Sequence, residues 1–197
     1  MEPEKKSNIL ISNPSLQEIL VLENAFSVEE CEFIKDTLEL REPSVEDIID
    51  KNYYSFAKAK RYALKNNEQT LWIHEKLISF VNEANQTFFQ FKISYMDLIQ
   101  IFEYNENCYF DWHVDISGVE PQYSTRKINA LVFLSNTKDY EGGQLKFNMA
   151  KFPEIPDIKQ EQGTLVIFPS YRPHSVEPVT KGIRHTLSAI FHGDYFR

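Results

Sequence analysis

The chain has 197 residues, 42% hydrophobic and 14% aromatic, with 21 basic side chains against 29 acidic ones and a formal charge of −8. That length and apolar share suit one domain with its own core and exclude general disorder. The acidic balance counts against a nucleic-acid partner, and no apolar run approaches the roughly eighteen residues of a membrane span.

Residues 1–15 are polar and carry two prolines, so they read as a loose lead-in. Met1–Lys6 has no apolar run behind it and does not read as a secretory signal. Glu18–Leu22 is apolar enough for a first strand. Ser27 and Glu30 are spaced as a capping box, and Cys31, Ile34 and Leu38 follow at helical spacing until Pro43 closes the segment. Glu68–Phe89 holds a second helical stripe through Leu71, Trp72, Glu75, Leu77, Ile78, Val81, Ala84, Asn85 and Phe88. Between the helices, Lys58, Lys60, Arg61 and Lys65 form a basic stretch, read as a solvated face or as a contact for an acidic peptide.

From Ile93 onward the pattern changes to short β-rich runs: Ile93–Tyr104, Tyr109–Val114, Arg126–Leu134, Gln144–Asn148, Thr164–Phe168, His174–Val179 and His185–Phe191. Breaks fall at Glu141-Gly142-Gly143, Glu161-Gln162-Gly163, Phe168-Pro169-Ser170 and Lys181-Gly182. No linker divides the chain. The expectation is one α+β domain over 1–197, with helix-rich support at 16–92 and a sandwich or barrel core at 93–197. Two cysteines, Cys31 and Cys108, make neither a disulfide framework nor a cysteine zinc site, and fit a reducing, cytoplasmic setting.

The chemistry concentrates in the β-rich half. His113-Val114-Asp115 puts an imidazole and a carboxylate on one face of a strand, about 7 Å apart along it. His174 lies 61 residues later, and Arg184 ten residues after that, beyond the Lys181-Gly182 turn. A hairpin of that length would set His174 and Arg184 on neighbouring antiparallel strands. Two His and one carboxylate form the facial triad of non-haem Fe(II) oxygenases, and an Arg nearby can clamp a carboxylate bidentately.

With these residues in view, the sequence resembles the Fe(II)- and 2-oxoglutarate-dependent dioxygenases, in their prolyl 4-hydroxylase-like branch. The resemblance covers about residues 95–192. It rests on Tyr104-Asn-Glu-Asn-Cys-Tyr-Phe-Asp-Trp-His113-Val-Asp115, on Tyr140-Glu-Gly-Gly-Gln-Leu145, and on Gly163-Thr-Leu-Val-Ile-Phe-Pro-Ser170 with His174 through Arg184. A fainter echo lies in Asn24–Cys31. The resemblance implies a double-stranded β-helix (jelly roll) with the N-terminal helices packed outside.

It also implies that His113, Asp115 and His174 hold Fe(II), and that Arg184 pairs with the distal carboxylate of 2-oxoglutarate. Tyr104 matches a tyrosine that lies beside the cosubstrate, or is a core aromatic. Thr186 and Ser188 share the Arg184 face by parity and either bond the cosubstrate or pack the barrel. Where some relatives have a second tyrosine for that carboxylate, this chain has Phe133, which leaves Tyr104 or Ser188 to help Arg184. Where many relatives have glycine, it has Asn105-Glu106-Asn107. The implied reaction uses O2 and 2-oxoglutarate to hydroxylate a C–H bond, releasing succinate and CO2, and ascorbate can support turnover. The expected substrate is a prolyl residue of a protein or peptide, with a free amino acid or small-molecule substrate as the rival, and a non-catalytic metal-binding barrel as the rival of another class. His74, His185 and His192 read as structural, and Trp112 as core or rim.

Overall fold

The structure, a computed structural model, describes residues 19–39, 57–118, 123–148 and 158–196. The expected lead-in and the stop at Pro43 lie outside the described residues. The elements in chain order are β1 (Leu20–Leu22), α1 (Val28–Glu39), β2 (Ala57–Lys58), β3 (Lys60–Leu64), α2 (Leu71–Ala84), β4 (Ile93–Met96), β5 (Ile99–Tyr104) and β6 (Tyr109–His113). They continue with β7 (Arg126–Phe133), β8 (Tyr140–Gly142), β9 (Leu145–Phe147), β10 (Leu165–Pro169), β11 (His174–Val176), β12 (Val179–Gly182) and β13 (Arg184–Gly193).

The capping box forms as expected. The Glu30 N–H donates to Ser27 Oγ (3.2 Å) and the Ser27 N–H donates to the Glu30 carboxylate (2.7 Å), so two donors at the start of α1 are satisfied reciprocally. Ahead of α2 the Asn67 side chain accepts from the Gln69 and Thr70 N–H groups. The buried face of α2 is Ile73, His74, Leu77, Val81 and Ala84, whereas Leu71 and Ile78 of the expected stripe are exposed. Both choices keep a spacing of three and four. The helix start after Asn67 turns the stripe, and His74 goes inside because its Nδ1 pairs with the Thr70 carbonyl (3.0 Å). A single π-helical turn, Asn85–Phe89, ends α2 at Gln90, whose φ is 55°.

Seven strands form one antiparallel sheet in the order β1-β10-β7-β13-β5-β3, with β4 also pairing with β13. Four strands form a second sheet, β2-β6-β11-β9. Parity along the large sheet shows where its two faces go. Ile128, Ala130, Val132, Leu165, Ile167, Leu187, Ala189 and Phe191 pack with Cys31, Ile34, Ile73, Leu77 and Val81 of the helices. Leu131, Phe133, Val166 and Phe168, on the opposite face, pack with Leu145, Val176, Phe110 and Phe147 of the small sheet. β7 is buried along nearly its whole length because it is covered on both sides. The result is the α+β jelly roll expected, with the helices outside the large sheet and a second apolar interior between the sheets.

Several boundaries differ from the expectation. Ile93–Tyr104 is two strands, interrupted at Asp97, whose N–H bonds Ile190 O (2.8 Å). The break at Glu141-Gly142-Gly143 includes part of β8, which pairs with β12. The basic stretch forms β2 and β3, so the chain passes there from the edge of the small sheet to the edge of the large one. Most importantly, His174 and Arg184 are not on neighbouring strands: β11 pairs with β6 and β9, and β13 with β4, β5 and β7. The intervening β12 pairs with β8 instead, and Gly182 makes the turn at φ +76°, where a Cβ would sit 2.1 Å from the Asp139 carbonyl.

Candidate active site

β6 and β11 are antiparallel neighbours whose register puts His113 directly opposite His174. Their rings lie 4.1 Å apart, centroid to centroid. β6 ends at His113, so Asp115 lies past the strand rather than on its face as expected, and the bend there brings its carboxylate in to close the triangle: Oδ1 is 3.8 Å from His113 Nε2, and Oδ2 is 3.5 Å from His174 Nε2. One donor atom from each of the three lies within 4.8 Å of the others, the one such group of metal-ligand type among the described residues.

Both imidazoles are oriented from behind. His113 Nδ1 lies 2.7 Å from the Asp111 carbonyl, and His174 Nδ1 lies 3.0 Å from the Arg172 carbonyl. A carbonyl only accepts, so each Nδ1 carries the proton and each Nε2 presents a lone pair toward Asp115. Burial, with the nearby His174 ring, pushes the His113 pKa down and favours the neutral form that ligates metal. Phe110 stacks on His113 at 3.8 Å, and Phe168 meets His174 edge-on at 4.9 Å. Two neutral nitrogens and one carboxylate are a donor set that fits Fe(II).

Arg184 begins β13 opposite Tyr104 of β5. It is 0% exposed, and among the described residues none of its three guanidinium nitrogens has a hydrogen-bond partner. It is flanked by the Tyr104 ring at 5.0 Å and the Phe133 ring at 5.4 Å, both members of the apolar interior between the sheets. A buried, unpaired guanidinium is costly, and the cation–π contacts offset only part of that cost. An anion with a carboxylate end fits this gap. Gly143 (φ +67°) makes room for the side chain, since a Cβ there would lie 2.7 Å from Arg184 Cδ. Tyr104 is buried, and burial pushes its phenol up to about 12, so it faces Arg184 as a neutral ring.

Thr186 shares the inward parity of Arg184 and is 1% exposed, and its Oγ1 has no hydrogen-bond partner among the described residues. Ser188, next on that face, is half-buried opposite Gln100. Sequence reasoning missed Thr164, whose buried Oγ1 is also unpartnered and whose carbonyl accepts from the Phe133 N–H (3.0 Å). Thr164, just before β10, and Thr186 of β13 therefore flank Phe133 from its two sides. It also missed Asn129 and Ser170, which contact Asp115. The available signal was a single Asn interrupting the apolar run from Ile128 to Phe133. The Asn105–Asn107 loop is accommodated by a positive φ of 61° at Asn107, a conformation asparagine tolerates.

The remaining histidines stand apart from this site. His185 faces Glu103 and Ser135, His192 stacks on Tyr95 at 4.6 Å, and His74 caps within α2. Trp112 is 50% exposed, on the rim beside the ligands. Lys60 of the basic stretch is engaged by Glu103 at 2.6 Å.

A family model described as the 2OG-Fe(II) oxygenase superfamily matches residues 99–192. A PKHD-type hydroxylase of Synechococcus sp. (strain CC9902) is 32% identical over 75 residues, 38% of this chain and 32% of that protein. A PKHD-type hydroxylase of Pseudomonas fluorescens is 32% identical over 88 residues, 40% of this chain and 38% of that protein. The chain thus spans about a third of the length of the curated relatives it matches. Among solved structures, a Pseudomonas putida prolyl-4-hydroxylase superposes with a TM-score of 0.70 at 16% identity, covering 90% of this chain and 93% of that one. The viral collagen prolyl hydroxylase of Paramecium Bursaria Chlorella virus-1, in its 2OG complex, gives 0.68 at 14%, covering 90% and 97%. A Trichoplax adhaerens prolyl hydroxylase, in complex with a hypoxia inducible factor peptide fragment, gives 0.70 at 16%, covering 89% and 83%. Residues 99–192, just under half of this chain, are thus similar to the 2OG-Fe(II) oxygenase superfamily, and they carry the three clustered ligand groups and Arg184.

Proposed function

We propose that this protein is an Fe(II)- and 2-oxoglutarate-dependent hydroxylase acting on a prolyl residue of a protein or peptide. His113, Asp115 and His174 hold Fe(II), and Arg184 receives the distal carboxylate of 2-oxoglutarate. The observation that carries the reading is the fully buried Arg184 guanidinium, with no hydrogen-bond partner among the described residues at any nitrogen, in the same interior as three convergent ligand atoms. When bound, the iron and cosubstrate supply the oxidation that couples succinate and CO2 release to C–H hydroxylation.

The protein's own residues bind, orient and exclude water. The backbone carbonyls of Asp111 and Arg172 hold the imidazole tautomers. Arg184 donates bidentately to the anion, and the Thr186 and Thr164 hydroxyls take the part that Phe133 cannot play. Ser188, nearer the strand middle, is a lesser candidate for that part. Tyr104 and Phe133 keep this end dry, which strengthens the Arg184 pairing. A peptide substrate is supported by the names of the relatives and by the half-exposed Trp112 and Val114 that flank His113. The shared apolar cluster of helices and large sheet supports a single domain, and the buried free thiols of Cys31 and Cys108 support a cytoplasmic setting.

The test is incubation with Fe(II), ascorbate, O2 and 2-oxoglutarate. Succinate should form, and a proline-containing peptide library should gain the mass of one oxygen atom. Succinate without a modified peptide would redirect the search to small-molecule substrates. No succinate under any condition would favour a metal-binding barrel without turnover.

A further inference from the structure

Asp115 is held through both its backbone and its carboxylate. Its N–H donates to the Ser170 carbonyl (2.9 Å), and its own carbonyl accepts from Arg126 Nη1 (3.2 Å). Its carboxylate Oδ2 accepts from the Asn129 side-chain amide. The other end of that amide, Oδ1, accepts from Ser170 Oγ (2.8 Å). Asn129 is 3% exposed and Ser170 0%, so the Asn129–Ser170 contact behind the ligand is closed to solvent.

The direction of the chain follows from donor chemistry. A carboxylate only accepts, so the NH2 of Asn129 must face Asp115. That leaves its carbonyl toward Ser170, whose hydroxyl can donate. Ser170 thus selects one of the two amide orientations and removes the flipped one, in which two acceptors would meet. The chain also runs between sheets. Asp115 follows β6 of the small sheet, whereas Asn129 lies on β7 and Ser170 just after β10 of the large one. Across the barrel it fastens one ligand to the wall opposite the strands that carry the two histidines.

We propose that Asn129, oriented by Ser170, is a positioning residue that occupies Asp115 Oδ2 and so presents Oδ1 for one-oxygen ligation of the metal. The inference rests on the metal reading above. Partners behind a ligand typically affect metal affinity ten- to a hundredfold. Without Asn129 the carboxylate can rotate or bind through both oxygens, at the expense of an open coordination position.

The test is titration of the folded, metal-free protein with Mn(II), alongside its thermal midpoint. N129A should weaken Mn(II) binding roughly tenfold or more, N129D further because a second carboxylate then faces Asp115, and S170A by a smaller factor. Variants that melt earlier but bind Mn(II) within twofold of the parent would overturn the proposal and leave Asn129 a packing residue. Should both Asn129 variants fail to fold, S170A, which loses one oxygen atom, decides by the same criterion. A parent protein that binds no Mn(II) overturns the metal reading and the clamp together, whereas a parent that binds it as tightly as all three variants overturns the clamp alone.

Discussion

Replacing Arg184 by Met should raise the stability of the ligand-free protein while removing the response to 2-oxoglutarate. Arg184 is 0% exposed with three unpaired nitrogens. Exchanging buried charge for an apolar side chain of similar volume often gains about 1–4 kcal/mol. The Tyr104 and Phe133 ring contacts, at 5.0 and 5.4 Å, withhold up to about 2 kcal/mol of that. A net gain of about 1–2 kcal/mol raises the midpoint by roughly 2–8 °C in a chain of this size. With ligand the sign reverses. At a hundred times its Kd, 2-oxoglutarate stabilises the parent by about 2.7 kcal/mol. Loss of one partner of a buried pair costs about 3–5 kcal/mol, which weakens Kd by about a hundredfold or more. At the same concentration the variant then gains no more than about 0.4 kcal/mol. The assay is thermal melting of both proteins with Mn(II), which holds the site without turnover, with and without 2-oxoglutarate. An Arg184→Met protein that melts below the parent without ligand, or keeps the full ligand shift, would refute the reasoning.

Gly143→Ala meets Arg184 Cδ at 2.7 Å and strains a φ of +67°. It should cost about 1–3 kcal/mol of stability and raise the KM for 2-oxoglutarate while leaving Mn(II) affinity intact. Glu103 is held well below the usual carboxylate range by His185 and then by Lys60 and Asn105. Its stabilisation is therefore complete above the unfolded value near 4.3 and is lost as pH falls below it. Glu103→Gln should lower the urea stability at pH 7 by about 1–2 kcal/mol, with the gap to the parent narrowing at pH 3.5; a gap independent of pH would contradict the assignment. Burial pushes the Cys31 thiol up to about 12, and the residue is 0% exposed, so iodoacetamide at pH 8 should label it only after unfolding.

Local chemistry made much of this protein legible in its sequence. The capping box at Ser27 and Glu30 needs only four consecutive residues to specify its two hydrogen bonds, and it forms as read. The inward parity of Arg184 with Thr186 follows from the two-residue period of a strand. The spacing of His113 and Asp115 marked them as a pair, but β6 ends at His113, and a bend held by Ser170 and Asn129 brings the Asp115 carboxylate to the histidines. The α2 face was harder, because Leu71 and Ile78 fit a spacing of three and four as well as Ile73 and His74 do, until the packing against the large sheet chose Ile73 over Leu71.

Strand partnership lay beyond that reach. Backbone hydrogen bonds carry no sequence label, so the Lys181-Gly182 turn looked like a hairpin joining His174 to Arg184, whereas the pairing of β12 with β8 sends them to different sheets. The same long-range pairing brings Thr164 and Thr186 to either side of Phe133, and Asn129 and Ser170 to Asp115. Residue types and short spacings thus identified the groups that can hold an iron and a dicarboxylate. Only the packing of two sheets decided which walls they stand on and which polar neighbours hold them there.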